Sequence, residues 1–298
     1  MDSPPFQSGF VSILGLPNAG KSTLLNALLG TKLSIVSAKP QTTRHKILGL
    51  LNGPYYQIAF LDTPGLIAKP KNPLQKSLRR QSESSAREDA DLSLIVVEPR
   101  APTAGALEEL AFLRRPEIPA VLVVNKIDLP DSDQAREAAL QSYRTALNPD
   151  AVLRASALTG SGIPELIKEV VSRLPQSPPL YDPDQISDRW ERFFAAEFIR
   201  EQVFALYREE VPHATAVVIE EFKEKAGAKD AIRAVLYVEK EGQKGIIIGA
   251  KGAALRELQK KSRVAVERFL GRPVNLEIWV KVRKDWRKDP RSLNEFGY

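Results

Sequence analysis

Early in the chain stands the run Gly15-Leu16-Pro17-Asn18-Ala19-Gly20-Lys21-Ser22. The apolar residues 10–14 before it predict a buried strand, and residues 23–29 after it predict a helix that ends at Gly30. In this order of strand, glycine-rich turn and helix, backbone N–H groups converge on phosphate at a helix start. We therefore predict a nucleotide site in which Lys21 reaches the outer phosphates and the Ser22 hydroxyl holds Mg²⁺.

The segments that follow supply candidates for the rest of the magnesium site. Residues 31–45 form a polar loop without a clear period, and they carry two adjacent hydroxyls, Thr42 and Thr43. Either hydroxyl could complete the Mg²⁺ shell; we favour Thr43, and an ordinary threonine-rich connection is the alternative. A predicted hairpin, whose turn is expected at 52–54, ends in Asp62-Thr63-Pro64-Gly65. There Asp62 would hold Mg²⁺ through water, and the Gly65 N–H would sense the terminal phosphate.

A second motif identifies the base. The all-apolar strand 120–124 ends in Asn125-Lys126-Ile127-Asp128. Guanine presents two adjacent donors, N1–H and the 2-amino group, which one carboxylate can accept, whereas adenine would leave Asp128 mispaired. We predict that Asn125 ties the base loop to the phosphate loop and that the Lys126 stem covers the ring. Further on, in Ser156-Ala157-Leu158, the backbone N–H of Ala157 is expected to meet the guanine O6.

Strands and helices alternate through residue 174, which predicts a doubly wound α/β domain with a mostly parallel sheet over residues 1–174. Residues 175–184 contain four prolines, so residues 175–189 are predicted to be a semi-stiff linker to a second domain, 190–298. The chain has no cysteine, which excludes disulfides and thiolate metal sites. No apolar run approaches the roughly 20 residues of a membrane span, and no signal peptide is recognisable, so we expect a cytoplasmic protein.

The second domain carries the excess positive charge. Residues 241–298 contain 14 lysines and arginines against 7 aspartates and glutamates. The predicted order α-β-β-α-α-β, with Gly249-Ala250-Lys251-Gly252 between two helices, favours an α+β K-homology (KH) domain that binds RNA. The run 246–248 also fits a strand. The tail 281–288 mixes cations with Trp286; phosphate contact with base stacking and a solvated edge with one packed tryptophan both fit it.

The motifs together resemble those of the Era family of bacterial ribosome-assembly GTPases over essentially the whole chain. The resemblance is carried by GLPNAGKS (15–22), QTTRH (41–45), DTPG (62–65), NKID (125–128), SAL (156–158) and GAKG (249–252). It implies a P-loop GTPase domain followed by a type II KH domain, with GTP as the on signal. It also implies a monomer that binds the 3′ end of 16S ribosomal RNA, acts in assembly of the 30S subunit and associates loosely with the inner membrane.

The candidate site residues follow from these motifs. The catalytic candidates are Lys21, Thr43, Asp62 and Gly65, and the metal candidates are Ser22, Thr43 and Asp62. The nucleotide-binding candidates are Gly15, Pro17, Asn18, Ala19, Gly20, Lys21, Ser22, Thr23, Asp62, Thr63, Pro64, Gly65, Asn125, Lys126, Asp128, Ser156, Ala157 and Leu158. The RNA-binding candidates are Ile248, Gly249, Ala250, Lys251, Gly252, Arg256, Lys281, Arg283, Lys284, Trp286 and Arg287.

Two further residues bear on the rate of hydrolysis. Leu66 follows DTPG where many such GTPases carry a glutamine that orients water, so we expect slow intrinsic hydrolysis. Asn18 could offer an oxygen to K⁺, or it could simply favour the turn beside Pro17. Three rival functions remain open at this point: a metabolic or tRNA-modifying GTPase, a membrane-surface GTPase using the basic run 281–291, and an ATPase, which Asp128 disfavours.

Overall fold

The computed structural model describes residues 5–65, 70, 72–87, 90–130 and 132–298. It divides the chain into two compact units: the first comprises Met1–Pro70 and Ser77–Asp188, and the second comprises Lys71–Lys76 and Arg189–Tyr298. Leu66, on which the expectation of slow hydrolysis depends, lies outside the described residues. Within the described part of the chain, no helix is both long and apolar enough to cross a membrane.

The first unit is built on a six-stranded sheet. Its strands are β1 (Gln7–Gly15), β2 (Ile47–Gly53), β3 (Tyr56–Asp62), β4 (Leu92–Val97), β5 (Ala120–Val124) and β6 (Ala151–Arg154). The sheet order is β2-β3-β1-β4-β5-β6, and only β2 runs antiparallel to its neighbour. The helices are α1 (Lys21–Leu29), α2 (Pro73–Arg87, which belongs to this unit from Ser77 on), α3 (Ala104–Leu113), α4 (Asp133–Leu147) and α5 (Ile163–Arg173). The predicted P-loop α/β fold is therefore confirmed.

Burial explains why the central strands are almost entirely apolar. Every residue of β4 and β5 is buried, as expected where helices cover both faces of a parallel sheet. The hairpin prediction needs one adjustment, because β2 extends through Gly53 and its turn lies at 54–55. Strands β1, β3, β4 and β5 end at the same edge of the sheet, so the loops after them can share one ligand site.

The proline-rich segment 175–188 lies on the first unit and is not a free spacer there. Gln57 of β3 holds it from both ends of its amide: Nε2 donates to the Tyr181 carbonyl (2.9 Å), and Oε1 accepts from the backbone N–H of Leu180 (2.6 Å). Further along, the Leu50 N–H donates to the Ile186 carbonyl (3.0 Å). Prolines cannot donate to a strand ladder, but neighbouring carbonyls and amides remain available for such contacts.

The second unit has the predicted order of elements. Its elements are α6 (Glu191–Leu206), β7 (Ala216–Lys223), β8 (Asp230–Val238), α7 (Glu241–Ile248), α8 (Ala253–Leu270), β9 (Val274–Val282) and α9 (Pro290–Glu295). The sheet order is β7-β8-β9, with β7 antiparallel and β9 parallel to β8. Residues 246–248 are helical, which settles the open choice between strand and helix. Phe194 and Phe198 pack on Phe269 at centroid distances of 5.0 and 5.1 Å and so join α6 to α8.

Candidate nucleotide and nucleic-acid sites

The phosphate-binding loop connects the end of β1 to the start of α1. Lys21, the first residue of α1, is buried, and its Nζ donates to the carbonyls of Gly15 (3.0 Å) and Leu16 (2.9 Å). Burial lowers the pKa of Lys21 to about 8, although the carboxylate of Asp62 opposes that shift. The lysine is therefore held inside the loop, where an anionic ligand would restore its preference for the charged form.

Hydroxyl groups converge on Asp62 at the end of β3. Its carboxylate is fully buried, and its Oδ2 accepts hydrogen bonds from the hydroxyls of Ser22 and Ser34, both at 2.8 Å. The Thr43 hydroxyl lies 2.9 Å from that of Ser22, whereas the Thr42 hydroxyl donates to the Lys39 carbonyl. Of the two threonines, Thr43 is the one placed beside Ser22.

The same cluster passes a chemical test for Mg²⁺. Asp62 Oδ1 is buried and accepts no hydrogen bond from the described residues, and burial raises the pKa of this carboxyl group. A cation, or water held by one, would satisfy that oxygen. Mg²⁺ takes oxygen ligands and is usually held by one or two protein groups together with phosphates and waters. Among the described residues, no three or more histidine, cysteine, aspartate or glutamate side chains lie together as a metal site.

Gly65 approaches the phosphate-binding loop closely. A Cβ added to it would lie 3.0 Å from the Cα of Pro17, which is tighter than side chains normally allow. The two preceding residues are anchored: the Thr63 hydroxyl donates to the Ile13 carbonyl (3.1 Å), and the Pro64 carbonyl accepts from Ser82 (2.6 Å). The DTPG turn is thereby fixed beside the loop, and the side chain of Thr63 is structural.

Asn125 joins the base side of the site to the phosphate side. Its Nδ2 donates to the Ala19 carbonyl and its Oδ1 accepts from the Ala157 N–H, both at 3.0 Å. The Ser156 hydroxyl donates to Asp128 Oδ1, which orients the carboxylate assigned to the base. Leu158 is 79% exposed and contributes no packing here. The two motifs, far apart in sequence, therefore form one connected site.

A cavity of about 460 Å³ lies along this site. It is lined by nine of the predicted residues, Pro17, Asn18, Gly20, Lys21, Ser22, Thr23, Thr43, Gly65 and Lys126. It is also lined by eight residues outside the candidate list, Ile35, Val36, Ser37, Ala38, Lys39, Gln41, Thr42 and Glu98, of which Thr42 was the alternative to Thr43 as a Mg²⁺ ligand. Most of this second group belongs to the polar loop 31–45, and Glu98 follows β4 at the edge of the sheet where the loops meet.

Glu98 pairs with the lysine assigned to the guanine ring. Lys126 Nζ donates to Glu98 Oε1 and to the Asn18 carbonyl (2.6 Å), so its stem is held between β4 and the phosphate-binding loop. The two side chains are each 31% exposed. A pair this exposed is worth about 1 kcal/mol, because solvent screens it.

We expect Glu98→Ala to speed GDP dissociation by about 5-fold, because the lysine stem loses one of its two anchors. Stopped-flow release of a fluorescent GDP measures this. In a Lys126→Met background the same change should add almost nothing, since Glu98 acts through Lys126. Glu108→Ala, an exposed change on α3, is the matched control. Additive effects of Glu98→Ala and Lys126→Met would contradict the prediction.

The predicted GAKG turn lies between α7 and α8. Gly249 has φ +69°, and a Cβ added to it would lie 2.6 Å from the Cβ of Ala254, so the turn requires glycine at this position. Lys251 is exposed and has φ +50°. Ala250 is also exposed, and Ile248 is half-buried at the end of α7. The turn thus presents a cation at the start of α8, where free N–H groups favour anions.

A basic groove of about 410 Å³ lies between α8 and the start of β9. It is lined by Lys229, Arg256, Gln259, Lys260, Arg263, Val274, Asn275 and Leu276. Of these, only Arg256 was a candidate from the sequence. Lys260 and Arg263 could have been found by their spacing, because Arg256, Lys260 and Arg263 recur at i, i+4 and i+7 and so share one face of α8. Gln259 Nε2 donates to the Leu276 carbonyl (2.7 Å) and fixes the helix to the strand.

The structure corrects the predicted role of the tail. Trp286 is fully buried and donates from Nε1 to the Ala214 carbonyl (2.8 Å), so the prediction of base stacking by this residue is wrong. Its ring packs against Phe296 and Tyr298. Three tail cations are paired with carboxylates of the same unit, Lys281 with Glu220, Arg283 with Glu295 and Arg287 with Glu239. Lys284 is exposed.

Two family models match separate parts of the chain. Residues 10–126 match the family model described as "50S ribosome-binding GTPase", and residues 210–287 match "KH domain". The protein named GTPase Era of Geobacter metallireducens is 45% identical over 300 residues, with all of both chains covered. Its counterpart in Carboxydothermus hydrogenoformans is 44% identical over 296 residues, with 98% of each chain covered.

Two solved structures match over nearly the full length. A variant of Aquifex aeolicus Era bound to GDP·AlF4⁻ has a TM-score of 0.92 and 39% identity, covering 98% of this chain and 99% of that one. An Era structure that contains MgGDPNP and nucleotides 1506–1542 of 16S ribosomal RNA gives the same values.

Proposed function

The chain belongs to the GTPase Era family, and we propose that it is a GTP-hydrolysing switch that binds 16S ribosomal RNA near its 3′ end and assists assembly of the 30S subunit. The observation that carries the enzymatic part is the double contact of Asn125, with Ala19 on one side and Ala157 on the other. This contact makes the phosphate loop and the base loop parts of one guanine nucleotide site.

In this proposal the nucleotide is held at both ends. Lys21 and the backbone N–H groups of the loop bind the phosphates, and the Gly65 N–H senses the terminal one. Ser22 and Thr43 would hold Mg²⁺ directly and Asp62 would hold it through water, since its Oδ1, which accepts no hydrogen bond from any described residue, suits that position. When bound, the metal neutralises charge on the phosphates. Asp128, oriented by Ser156, accepts the two guanine donors.

The second unit supplies the RNA-binding surface. The exposed Lys251 in the GAKG turn and the basic groove along α8 provide cations that would contact the phosphates of a single-stranded RNA. The related Era structure with nucleotides 1506–1542 of 16S ribosomal RNA supports this choice of RNA. We call an RNA of that sequence the 3′-end fragment.

Nucleotide state should control RNA affinity if the protein is a switch. The loop 31–45 contributes to the nucleotide cavity, so a terminal phosphate and Mg²⁺ would order it, and this change would favour the RNA-binding state. We expect the protein loaded with a non-hydrolysable GTP analogue to bind the 3′-end fragment about 10-fold more tightly than the GDP-loaded protein, a coupling of about 1.4 kcal/mol. Fluorescence anisotropy measures both affinities. Equal affinities would refute the switch while leaving the nucleotide site intact.

Four narrower proposals concern the rate of hydrolysis, a monovalent cation, the monomeric state in the cytoplasm and contact with a membrane. Leu66 in place of a water-orienting glutamine favours slow intrinsic hydrolysis, and Asn18, which lines the cavity, offers an oxygen for K⁺. Family membership favours a monomer in the cytoplasm. The excess of lysine and arginine in residues 241–298 supports peripheral contact with the inner face of an anionic membrane.

A further inference from the structure

Ser34 lies outside every nucleotide-binding motif, yet it contacts the carboxylate assigned to magnesium. Its side chain is fully buried in the loop 31–45, and its hydroxyl donates to Asp62 Oδ2 at 2.8 Å. The Ser22 hydroxyl donates to the same oxygen at the same distance. Both lone pairs of Oδ2 are thereby occupied, and Oδ1 remains as the acceptor without a partner among the described residues.

The backbone of Ser34 is held by the helix that also carries Ser22. Asn26 Oδ1 accepts from the N–H groups of Leu33 (2.9 Å) and Ser34 (2.8 Å), and Asn26 Nδ2 donates to the Ser34 carbonyl (2.8 Å). Because Ser22 and Asn26 are four residues apart, they lie one turn apart on the same face of α1. One helix therefore positions both hydroxyls, Ser22 directly and Ser34 through Asn26.

This arrangement fixes the carboxylate rather than merely burying it. With one hydroxyl on Oδ2, the plane of the group could tilt about its Cβ–Cγ bond, whereas a half-turn would merely exchange two equivalent oxygens. With two hydroxyls arriving from different segments, rotation would break two hydrogen bonds to a charged group in a buried site, where each is worth about 1.5–3 kcal/mol. Oδ1 is therefore kept available for a water bound to the metal.

We propose that Ser34 is a positioning residue for magnesium: it orients Asp62 and so sets the affinity of the nucleotide complex for Mg²⁺. The inference rests on the proposed nucleotide site and assigns it a residue that none of its motifs contains. Residues that orient metal-binding groups commonly contribute 10–100-fold to metal affinity. A purely structural role for the buried hydroxyl would instead affect nucleotide binding equally with and without the metal.

The test is the Mg²⁺ dependence of nucleotide release. The release rate of a fluorescent GDP is measured across a Mg²⁺ titration and in EDTA. For Ser34→Ala we expect the Mg²⁺ concentration that gives half-maximal slowing to rise about 10-fold, while the rate in EDTA changes by less than about 2-fold. Ser12→Ala is the matched control, because Ser12 is also fully buried and its hydroxyl bonds to the Ser93 hydroxyl (3.1 Å) within the same sheet.

A second variant keeps the test decisive if Ser34→Ala does not fold. Ser34→Cys nearly preserves the volume but replaces the hydroxyl by a weak donor, so it should shift the Mg²⁺ midpoint in the same direction. An unchanged midpoint in the folded variants would overturn the proposal, as would equal changes with Mg²⁺ and with EDTA. If wild-type protein bound GDP with no response to Mg²⁺, the magnesium site itself would be refuted, and this role with it.

Discussion

Replacing Asp128 by asparagine is expected to move the base preference from guanine to xanthine. The carboxylate can accept from both N1–H and the 2-amino group, whereas an asparagine amide would place a donor against that amino group. Losing one charge-assisted hydrogen bond, weakening the other and placing a donor against a donor together cost about 3–4 kcal/mol, so GTP affinity should fall about 10²–10³-fold. Xanthine carries a carbonyl at C2, which the new amide can donate to, so affinity for XTP should rise instead.

Competition of GTP and XTP against a fluorescent GDP measures the two affinities. The Ser156 hydroxyl would still donate to Oδ1 of the asparagine, as it does to Asp128, so the side chain should keep its orientation. Asp133→Asn, at an exposed position of α4, removes the same charge away from the site and should leave both affinities within 2-fold. A parallel loss of GTP and XTP binding in Asp128→Asn would show that this residue supports the loop and does not read the base.

The parts of the nucleotide site that sequence could predict are those that local chain geometry dictates. A strand, a glycine-rich turn and a helix must follow one another directly in the chain, so the motif GLPNAGKS together with its neighbouring residues was enough to predict the phosphate-binding loop. The motif ending in Asp128 was readable because it follows a strand that is apolar throughout. Ser34 and Glu98 were missed for the opposite reason, since each reaches its partner across 28 residues of sequence. Neither residue belongs to a local pattern, and only the fold brings them to Asp62 and Lys126.

The tail shows how packing overrides composition. Trp286 stands among lysines and arginines, which made base stacking and a packed tryptophan equally consistent with the sequence. Burying the indole removes a large apolar surface from water and so stabilises the fold, and its N–H donates a hydrogen bond to the Ala214 carbonyl. Three of the surrounding cations, Lys281, Arg283 and Arg287, pair with carboxylates of the same unit. A mixed basic and aromatic segment therefore does not by itself indicate nucleic-acid stacking.

The proline-rich segment is a related case. Its composition correctly predicted the absence of helix and strand over most of residues 175–189, but not its contacts. A segment without helix or strand still has carbonyl and N–H groups that need hydrogen-bond partners. The side chain of Gln57, buried in the sheet of the first unit, donates to one of these carbonyls and accepts from two of the backbone N–H groups. The signal was a glutamine directly before the apolar run 58–61 of β3, because a buried sheet tolerates such a side chain only where its amide is satisfied.

Reversing two cations in the basic groove should abolish most RNA binding. Lys260→Glu with Arg263→Glu changes two groove-lining charges on one face of α8. If each cation neutralises one phosphate, the slope of log affinity against log salt should become shallower by about 1.4, at about 0.7 per contact on a single strand. At low salt we expect the affinity for the 3′-end fragment to fall about 10²-fold, with GTP binding unchanged. Anisotropy at several salt concentrations measures both quantities.

The same helix offers a control matched in charge and in ion pairing. Lys261→Glu with Arg268→Glu reverses two exposed cations outside the groove. It breaks the pair of Lys261 with Glu257, just as the groove variant breaks that of Arg263 with Glu267. Both double variants therefore change net charge by four units and disturb one i,i+4 pair. Because diffuse attraction depends on net charge alone, equal losses in the two proteins would mean that RNA does not occupy the groove, whereas a loss confined to Lys260→Glu/Arg263→Glu would locate its backbone along α8.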